Sequence, residues 1–189
     1  DKNFYKHKGL DFKGILRGLF KTYSLGKPSQ SGSTLTQQLV KNAILTNEKT
    51  IERKIKEWIL TYKIEQRFSK DEILKMYLNE IPYGSVIYGI EAASETFFGK
   101  KAKDLTIEES ALLAALPQAP TTLSPYKENN ENLAWRYKYV LGQMKANGYI
   151  AEEEYNKAIN YNIISEIKPR NETMLAPHFV MYIKQQIEE

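Results

Sequence analysis

Two neighbouring segments of the sequence bring together side chains that could hold a phosphate or an oxyanion. In the first, a glycine-containing loop leads into a helix start at Ser33 and Thr34, and Gln37, Gln38 and Lys41 follow. Helical spacing places Thr34, Gln38 and Lys41 at i, i+4 and i+7, so a hydroxyl, an amide and an ammonium share one stripe. Such groups beside the free amides of a helix N-terminus form a candidate anion cradle. The same residues are also typical of an ordinary capped surface helix.

The second segment places a carboxylate among cations, because Lys49, Arg53 and Glu57 are spaced at i, i+4 and i+8 along a predicted helix. An exposed ion pair would have this spacing. Helical projection groups the apolar residues of the segment into two stripes, of which one is Ile51, Ile55, Trp58 and Tyr62 and the other is Leu60, Ile64 and Phe68. Arg53 and Glu57 head the second stripe. A carboxylate there is expected to be partly desolvated and paired with Arg53, which suits either acid–base and electrostatic work or a buried structural pair.

The elements that would position these side chains are helices. Period-3.6 patterns recur along the chain, β-like alternation is scarce, and capping-box helix starts occur at Ser69–Glu72 and Thr106–Glu109. The sequence predicts an all-α fold with helices over Asp11–Tyr23, Thr34–Leu45, Thr50–Phe68, Lys70–Asn79, Tyr88–Phe97, Ile107–Leu116, Asn130–Asn147, Glu152–Tyr161 and Pro177–Ile187. The run from Ser110 to Leu116 is apolar on every side, which predicts the central core helix.

Composition narrows the function classes. The 189 residues suffice for one compact domain, with 42% hydrophobic and 26% charged residues, and no apolar run is long enough to span a membrane. The absence of cysteine excludes disulfides, thiolate metal sites and a cysteine nucleophile. His7 and His178 are too far apart in sequence to indicate a metal site, so no metal-ligating residues are predicted.

The positive charge of the chain is concentrated at its beginning. Residues 1–57 contain 12 Lys and Arg against 5 Asp and Glu, whereas residues 58–189 contain 15 against 18. This asymmetry favours an anionic partner such as nucleic acid, an anionic membrane surface or a phosphorylated substrate, or else a solvated basic face. Because the tyrosines do not interleave with the basic residues, nucleic acid is not expected. A basic amphipathic stretch over residues 13–27 could contact a membrane surface or dock on the protein's own core.

Five motif-like segments follow one another in the first two thirds of the chain: Asp1–Asp11, Ser31–Asn42, Arg53–Glu57, Tyr77–Ile81 and Leu105–Pro125. In content and order they resemble glycosyltransferase family 51, the peptidoglycan glycosyltransferases of monofunctional transglycosylases and class A penicillin-binding proteins. The resemblance implies an all-α, lysozyme-like fold with a large globular lobe and a small membrane-facing jaw lobe at roughly residues 11–32. It implies a glycosyltransferase domain over residues 1–170 and a linker or helix over residues 171–189 that leads towards a transpeptidase domain.

The activity that the resemblance implies is the polymerisation of lipid II into glycan strands. The glycan donor is linked to undecaprenyl pyrophosphate, the acceptor is the 4-hydroxyl of lipid II, and the transfer inverts the anomeric centre. Glu57 matches the family's second catalytic carboxylate, which assists the leaving pyrophosphate. Positions that match the substrate-binding residues of the family are Asp1, Phe4, His7, Ser33, Thr34, Gln37, Gln38, Lys41, Lys49, Arg53 and Lys54.

The general base is expected just outside the sequence. The first motif of the family is Glu-Asp-x-x-Phe, its glutamate is the proposed base, and the sequence begins at Asp1. The partners implied are lipid II, the lipid-linked glycan strand, the membrane surface through the jaw lobe, and a transpeptidase domain in the parent chain. No cofactor is obligatory, although Mg²⁺ or Mn²⁺ could sit at the pyrophosphate. The implied location is the outer face of the bacterial cytoplasmic membrane, with an anchoring segment upstream.

Two other function classes remain open at this point. A lysozyme-like lytic enzyme would cut glycan and would need a second carboxylate, roughly 6.5 to 9.5 Å from the first for inversion and nearer for retention. Only Glu57 is placed for such a role, and the basic first third of the chain suits a pyrophosphate donor better than an uncharged glycosidic bond. A non-catalytic module that binds glycan or lipid is the third possibility.

Overall fold

The computed structural model describes residues 1–11, 33–45, 50–84 and 86–170, and the regular elements in these ranges are helical. The α-helices are α1 (Leu35–Ala43), α2 (Ile51–Arg67), α3 (Lys70–Glu80), α4 (Ile90–Phe98), α5 (Ile107–Ala115), α6 (Glu131–Ala146) and α7 (Glu152–Ile159). Short 3₁₀ helices lie at Ala102–Asp104, Leu116–Gln118 and Ile163–Glu166. The predicted all-α class is confirmed over these ranges, and each α-helix begins and ends within two residues of its predicted bounds.

Several sequence predictions lie outside the described residues. They are the predicted helices Asp11–Tyr23 (beyond Asp11 itself) and Pro177–Ile187, the jaw lobe beyond Asp11, the linker over residues 171–189, and the side chains of Lys49 and His178. Among the described helices, none combines the length and the apolar content that a bilayer span requires.

Local capping explains where the helices begin. Thr34, Ser69 and Thr106 each accept a hydrogen bond from the backbone amide three residues later, and the side chain of that later residue accepts one from the cap's own amide. This reciprocal arrangement satisfies two amides that a helix start leaves free. The two capping boxes predicted at Ser69 and Thr106 are therefore confirmed, and the Thr34–Gln37 box fixes the start of α1.

Helix α5 forms the centre of the core, as its sequence predicts. Ala111, Leu112, Leu113 and Ala115 are fully buried. Helices α4 and α6 pack against α5, α7 packs against α6, and α3 joins this group to α1 and α2. A helix that is apolar on all sides needs neighbours on most of its surface, and in α5 the exception is Ala114, which is exposed.

Helix α2 turns a polar edge towards its neighbours α1 and α3. Glu57 and Thr61 are buried on that edge, one helical turn apart. By contrast, the first of the two apolar stripes predicted from helical projection lies on the opposite side and is between 41% and 82% exposed: Ile51, Ile55, Trp58 and Tyr62. In the second stripe, Leu60 and Ile64 are half-buried and Phe68 is exposed. Tertiary packing, and not apolar content, therefore decides which side of α2 faces the protein.

Candidate functional site

Glu57 is the most deeply buried charged side chain in the described residues, with 2% of its surface exposed. Arg53, one turn earlier on α2, donates from Nη1 to Glu57 Oε2 at 3.0 Å. The ammonium of Lys54 pairs with Glu57 Oε1, which also accepts from Gln37 Nε2 at 3.2 Å. Both carboxylate oxygens are thus engaged by cations. The expectation that Glu57 is desolvated and paired with Arg53 is confirmed.

Gln37 connects this carboxylate to the start of α1. The Gln37 side chain is buried, and its Oε1 accepts the backbone N–H of Thr34 at 2.9 Å while its Nε2 donates to Glu57. A single amide group therefore completes the α1 capping box and fixes the carboxylate of α2. The Thr34 hydroxyl donates to the carbonyl of Gly9 at 2.6 Å, so the same helix start also holds the amino-terminal segment, residues 1–9.

The cations around Glu57 outnumber its charge. Arg53 and Lys54 contribute two positive charges against one carboxylate, and the Lys54 ammonium also donates to Ser33 Oγ at 3.3 Å. The Lys54 side chain keeps about a third of its surface exposed, at 36%. The cluster is consequently a fixed, net positive group that opens towards solvent through Lys54, which suits an anionic ligand.

Lys41 and Gln38 lie on the following turns of α1. Lys41 is exposed in the last turn, and no ion pair of the described residues engages its ammonium. Gln38 donates to the Ser33 carbonyl at 3.5 Å and accepts from the hydroxyl of Tyr77 on α3 at 3.3 Å. Burial raises the pKa of Tyr77 to about 12, so its hydroxyl keeps its proton and remains a donor to Gln38.

The anion cradle expected at the N-terminus of α1 is filled by the protein itself. Asp1 Oδ2 accepts the backbone N–H of Leu35 at 3.1 Å, and Thr34 Oγ1 accepts that of Gln37. A carboxylate is stabilised at this position by the helix dipole. These two amides are therefore not open to an added anion, and the positive charge near the site lies on the Arg53, Lys54 and Lys41 side chains.

His7 holds Asp1 in this place. Its Nε2 donates to Asp1 Oδ2 at 3.0 Å, and its Nδ1 accepts the backbone N–H of Gly9 at 3.1 Å. Only the neutral ring with its proton on Nε2 satisfies both contacts. Burial, and then the positive charge of Lys70, lowers the pKa of His7, in agreement with this tautomer.

Phe4 lies in the core and has no open face for a ligand. Its ring is 3% exposed, and the Lys70 ammonium sits 4.5 Å from the ring centroid. The predicted substrate-binding residues thus divide into two groups. Lys54 and Lys41 present their ammonium groups to solvent and Arg53 keeps 15% of its side chain exposed, whereas Phe4, Thr34 and Gln37 are buried and position other groups.

Sequence reasoning missed one cluster next to this site. Glu65 on α2 pairs with Lys70 at 2.7 Å and accepts from the hydroxyl of buried Thr36 at 2.5 Å. The signal was present, because Glu65 follows Glu57 by eight residues and therefore lies on the same edge of α2. No group of three or more His, Cys, Asp or Glu side chains suited to a metal occurs in the described part of the chain.

Comparison with protein families gives one match of wide coverage. The family model described as transglycosylase matches residues 1–145. Penicillin-binding protein 1A of Aquifex aeolicus is 43% identical over 184 residues, which is 97% of this chain and 25% of the relative. Penicillin-binding protein 1F of Bacillus subtilis is 42% identical over 189 residues, which is 100% of this chain and 26% of the relative. The chain therefore spans about a quarter of the length of these relatives.

A solved structure supports the same relationship. The crystal structure of penicillin-binding protein 1A from Haemophilus influenzae is 28% identical, with a TM-score of 0.52 over 80% of this chain and 19% of that one. With the helical elements described above, this similarity confirms the lysozyme-like, all-α fold class that was expected from the sequence motifs.

Proposed function

Because this chain belongs to the transglycosylase family, we propose that it is the part of a longer protein that polymerises lipid II into glycan strands. The donor is a glycan linked to undecaprenyl pyrophosphate and the acceptor is the 4-hydroxyl of lipid II. The acceptor oxygen forms a bond to the anomeric carbon as the bond to the pyrophosphate oxygen breaks. The hydroxyl proton passes to a base, the bonding electrons leave with the pyrophosphate, and the configuration inverts.

One observation carries this proposal: a buried carboxylate, Glu57, is held between two cations on one helix. A leaving pyrophosphate gains negative charge in the transition state, and fixed positive groups stabilise that charge most when they need no rearrangement. Arg53 and Lys54 are fixed in this way, and Lys41 on α1 supplies a further, accessible ammonium.

Burial defines how Glu57 contributes. With 2% of its surface exposed, its carboxylate has little access to substrate, so it acts through Arg53 and Lys54 by orienting them. Gln37, which donates to the same carboxylate oxygen as Lys54, is neutral, so the net charge of the cluster stays positive. This arrangement agrees with a role in assisting the leaving group, and it leaves the acceptor proton to a base elsewhere.

The amino-terminal segment is where we place that base. Asp1 accepts the Leu35 amide at the start of α1 and is bound to His7, and these contacts support a base at the position before Asp1 in the parent chain. By family resemblance this residue is a glutamate. We propose no obligatory cofactor. The described carboxylates of the site are engaged by cations, a helix start or His7, so Mg²⁺ or Mn²⁺ would be held mainly by the pyrophosphate oxygens.

The test is lipid II polymerisation by the full-length protein and its Glu57→Gln variant. Loss of the negative charge releases Arg53 and Lys54 from their fixed positions, and we expect kcat to fall by about 10²-fold or more. Glu52→Gln is the matched control, because Glu52 lies on the same helix in an exposed pair with Lys56 at 2.7 Å. Undiminished polymer from Glu57→Gln would contradict the proposal.

The same assay separates the lytic alternative. Release of soluble fragments from preformed glycan, without consumption of lipid II, would replace polymerisation by glycan cleavage. The geometry argues against cleavage, because the Glu57 side chain is 2% exposed and both of its carboxylate oxygens are bound by cations, so it has little access to a glycosidic oxygen.

The location and partners follow from the substrate. We propose that the parent protein works at the outer face of the bacterial cytoplasmic membrane, where an upstream segment anchors it and the jaw lobe faces the lipid. The relatives are named penicillin-binding proteins, and on that basis a penicillin-binding transpeptidase domain completes the parent chain.

A further inference from the structure

A second buried carboxylate lies on α2, two helical turns beyond Glu57. The Glu65 side chain is 6% exposed and its Oε2 is 2.7 Å from the Lys70 ammonium at the first residue of α3. Its Oε1 accepts the Thr36 hydroxyl of α1 at 2.5 Å. Eight residues of helix rise about 12 Å, so this pair is separate from the cations around Glu57. Glu65 therefore joins three helices at one point.

The same pair supports the amino-terminal segment. The Lys70 ammonium lies 4.5 Å from the centroid of the Phe4 ring, which is a cation–π contact in a buried setting. Gly9 adopts φ +89° and packs so closely on α2 that a Cβ there would stand 2.9 Å from Glu65 Cγ. Both Phe4 and Gly9 thus rest on the Glu65–Lys70 pair.

A change in the position of the Glu65–Lys70 pair would be transmitted to Asp1 at the start of α1 through hydrogen bonds. Gly9 is bound to the Thr34 hydroxyl at 2.6 Å and to His7 at 3.1 Å, and His7 holds Asp1 on the α1 N-terminus. Each link is a directional hydrogen bond, so a displaced Gly9 carries His7 with it. The position of Asp1 therefore depends on Glu65 and Lys70, which contact the amino-terminal segment at Gly9 and Phe4.

We propose that Glu65 and Lys70 are positioning residues that set the place of the amino-terminal segment against α1, and with it the place of the base that precedes Asp1. This inference rests on the proposed function for its catalytic consequence. The pair touches no reacting atom in this arrangement. Its effect is on the geometry from which the acceptor hydroxyl loses its proton, so it governs kcat and leaves the binding of lipid II to the cations around Glu57.

The experiment compares Glu65→Gln, Lys70→Met and Lys70→Arg in the full-length protein. We expect the first two to lower kcat for lipid II polymerisation between about tenfold and a hundredfold, with KM within twofold of the unaltered protein. Lys70→Arg keeps both the ion pair and the contact with Phe4, so most of the activity should return. The control is the exposed pair on the same helix, altered as Glu52→Gln and Lys56→Met, for which kcat should not change.

A second measurement does not depend on activity. Amide hydrogen exchange followed by mass spectrometry should show faster exchange in residues 1–11 for Glu65→Gln and Lys70→Met, but not for the control pair, under conditions where near-UV circular dichroism shows folded protein. Unchanged kcat or unchanged exchange in folded variants would overturn the inference. If the unaltered protein consumes no lipid II, the proposed function fails, and the exchange measurement still decides whether the pair holds the segment.

Discussion

At the scale of single residues, burial separates the groups that can meet a ligand from those that hold others in place. Glu57, Gln37 and Phe4 are enclosed, whereas Lys54 and Lys41 reach an accessible side. Within the Arg53–Glu57 motif, Lys54 is therefore open to a ligand whereas Glu57 holds other side chains in place. Substitution of an exposed residue should change ligand binding, and substitution of a buried one should change kcat.

Lys41→Met should weaken the binding of a pyrophosphate-linked lipid. Lys41 lies one turn after Gln37 on α1 and is exposed, and we expect its ammonium to add to the positive charge that Arg53 and Lys54 offer to the ligand. Loss of one charged hydrogen bond predicts about a tenfold rise in Kd with unchanged thermal stability. Titration of the lipid measures this change. Lys75→Met on α3, also exposed, is the control, and an equal effect of both substitutions would show that only overall charge matters.

His7 should make stability depend on pH. Its pKa is lowered in the folded state by burial and by Lys70, so the unfolded chain binds the proton more readily. The stabilisation by neutral His7 is complete above the unfolded pKa of about 6.5 and is lost as pH falls from there towards the folded pKa. Thermal unfolding between pH 7.5 and 5.5 should show a larger fall in Tm for the unaltered protein than for His7→Gln. Parallel curves would contradict this expectation.

At the scale of elements, the start of α1 joins local and long-range contacts. Thr34 closes the capping box with Gln37 and also donates to the buried carbonyl of Gly9, whereas Ser69 closes a similar box at the exposed start of α3. Both helix starts have the same capping-box pattern, but only Thr34 also binds another segment. Comparing Thr34 with Ser69 therefore separates the contribution of the cap from that of the bond to Gly9.

Thr34→Ala should therefore destabilise the protein more than Ser69→Ala. Loss of a cap costs about 1 kcal/mol, and leaving the Gly9 carbonyl unpaired adds about 1 to 3 kcal/mol for the first substitution only. Thr34→Ser keeps the hydroxyl and should recover most of the difference. Urea unfolding of the variants measures it, and equal losses for Thr34→Ala and Ser69→Ala would show that the bond to Gly9 contributes nothing.

At the scale of the whole molecule, α5 supports both halves of the described chain. It contacts α4 and α6 directly, and α3 links α4 to the helices that carry the site. Stability of the core and placement of the site are thus separate properties. The core can be weakened without contact with any residue of the positive group around Glu57.

Leu112→Ala should cost about 2 to 5 kcal/mol of unfolding free energy, because the fully buried side chain leaves a cavity between packed helices. Below its lowered Tm, kcat for lipid II polymerisation should stay within twofold of the unaltered value. Val86→Ala, at a position that is 78% exposed, should change stability by less than about 0.5 kcal/mol. A large fall in kcat for folded Leu112→Ala would show that core packing and site geometry are coupled.

The sequence alone determined the features that depend on near neighbours along the chain. These features are the helix bounds, the capping boxes at Ser69 and Thr106, the apolar α5 and the Arg53–Glu57 pair. Each depends on residues that lie three or four positions apart in the sequence. Such contacts form within one helix, so residue type and spacing suffice to predict them.

Only the tertiary structure decided which side of α2 is buried and what surrounds its carboxylates. Packing brings together residues that are far apart in the sequence. Asp1 accepts from the Leu35 amide, Gln37 donates to Glu57, and Thr36 and Lys70 both bind Glu65. Helical periodicity indicated that Glu57 is partly desolvated, but it could not say that the stripe of Ile51, Ile55, Trp58 and Tyr62 faces away from α1 and α3. That choice depends on partners from other helices, because a buried charge is tolerated only where distant residues pair with it.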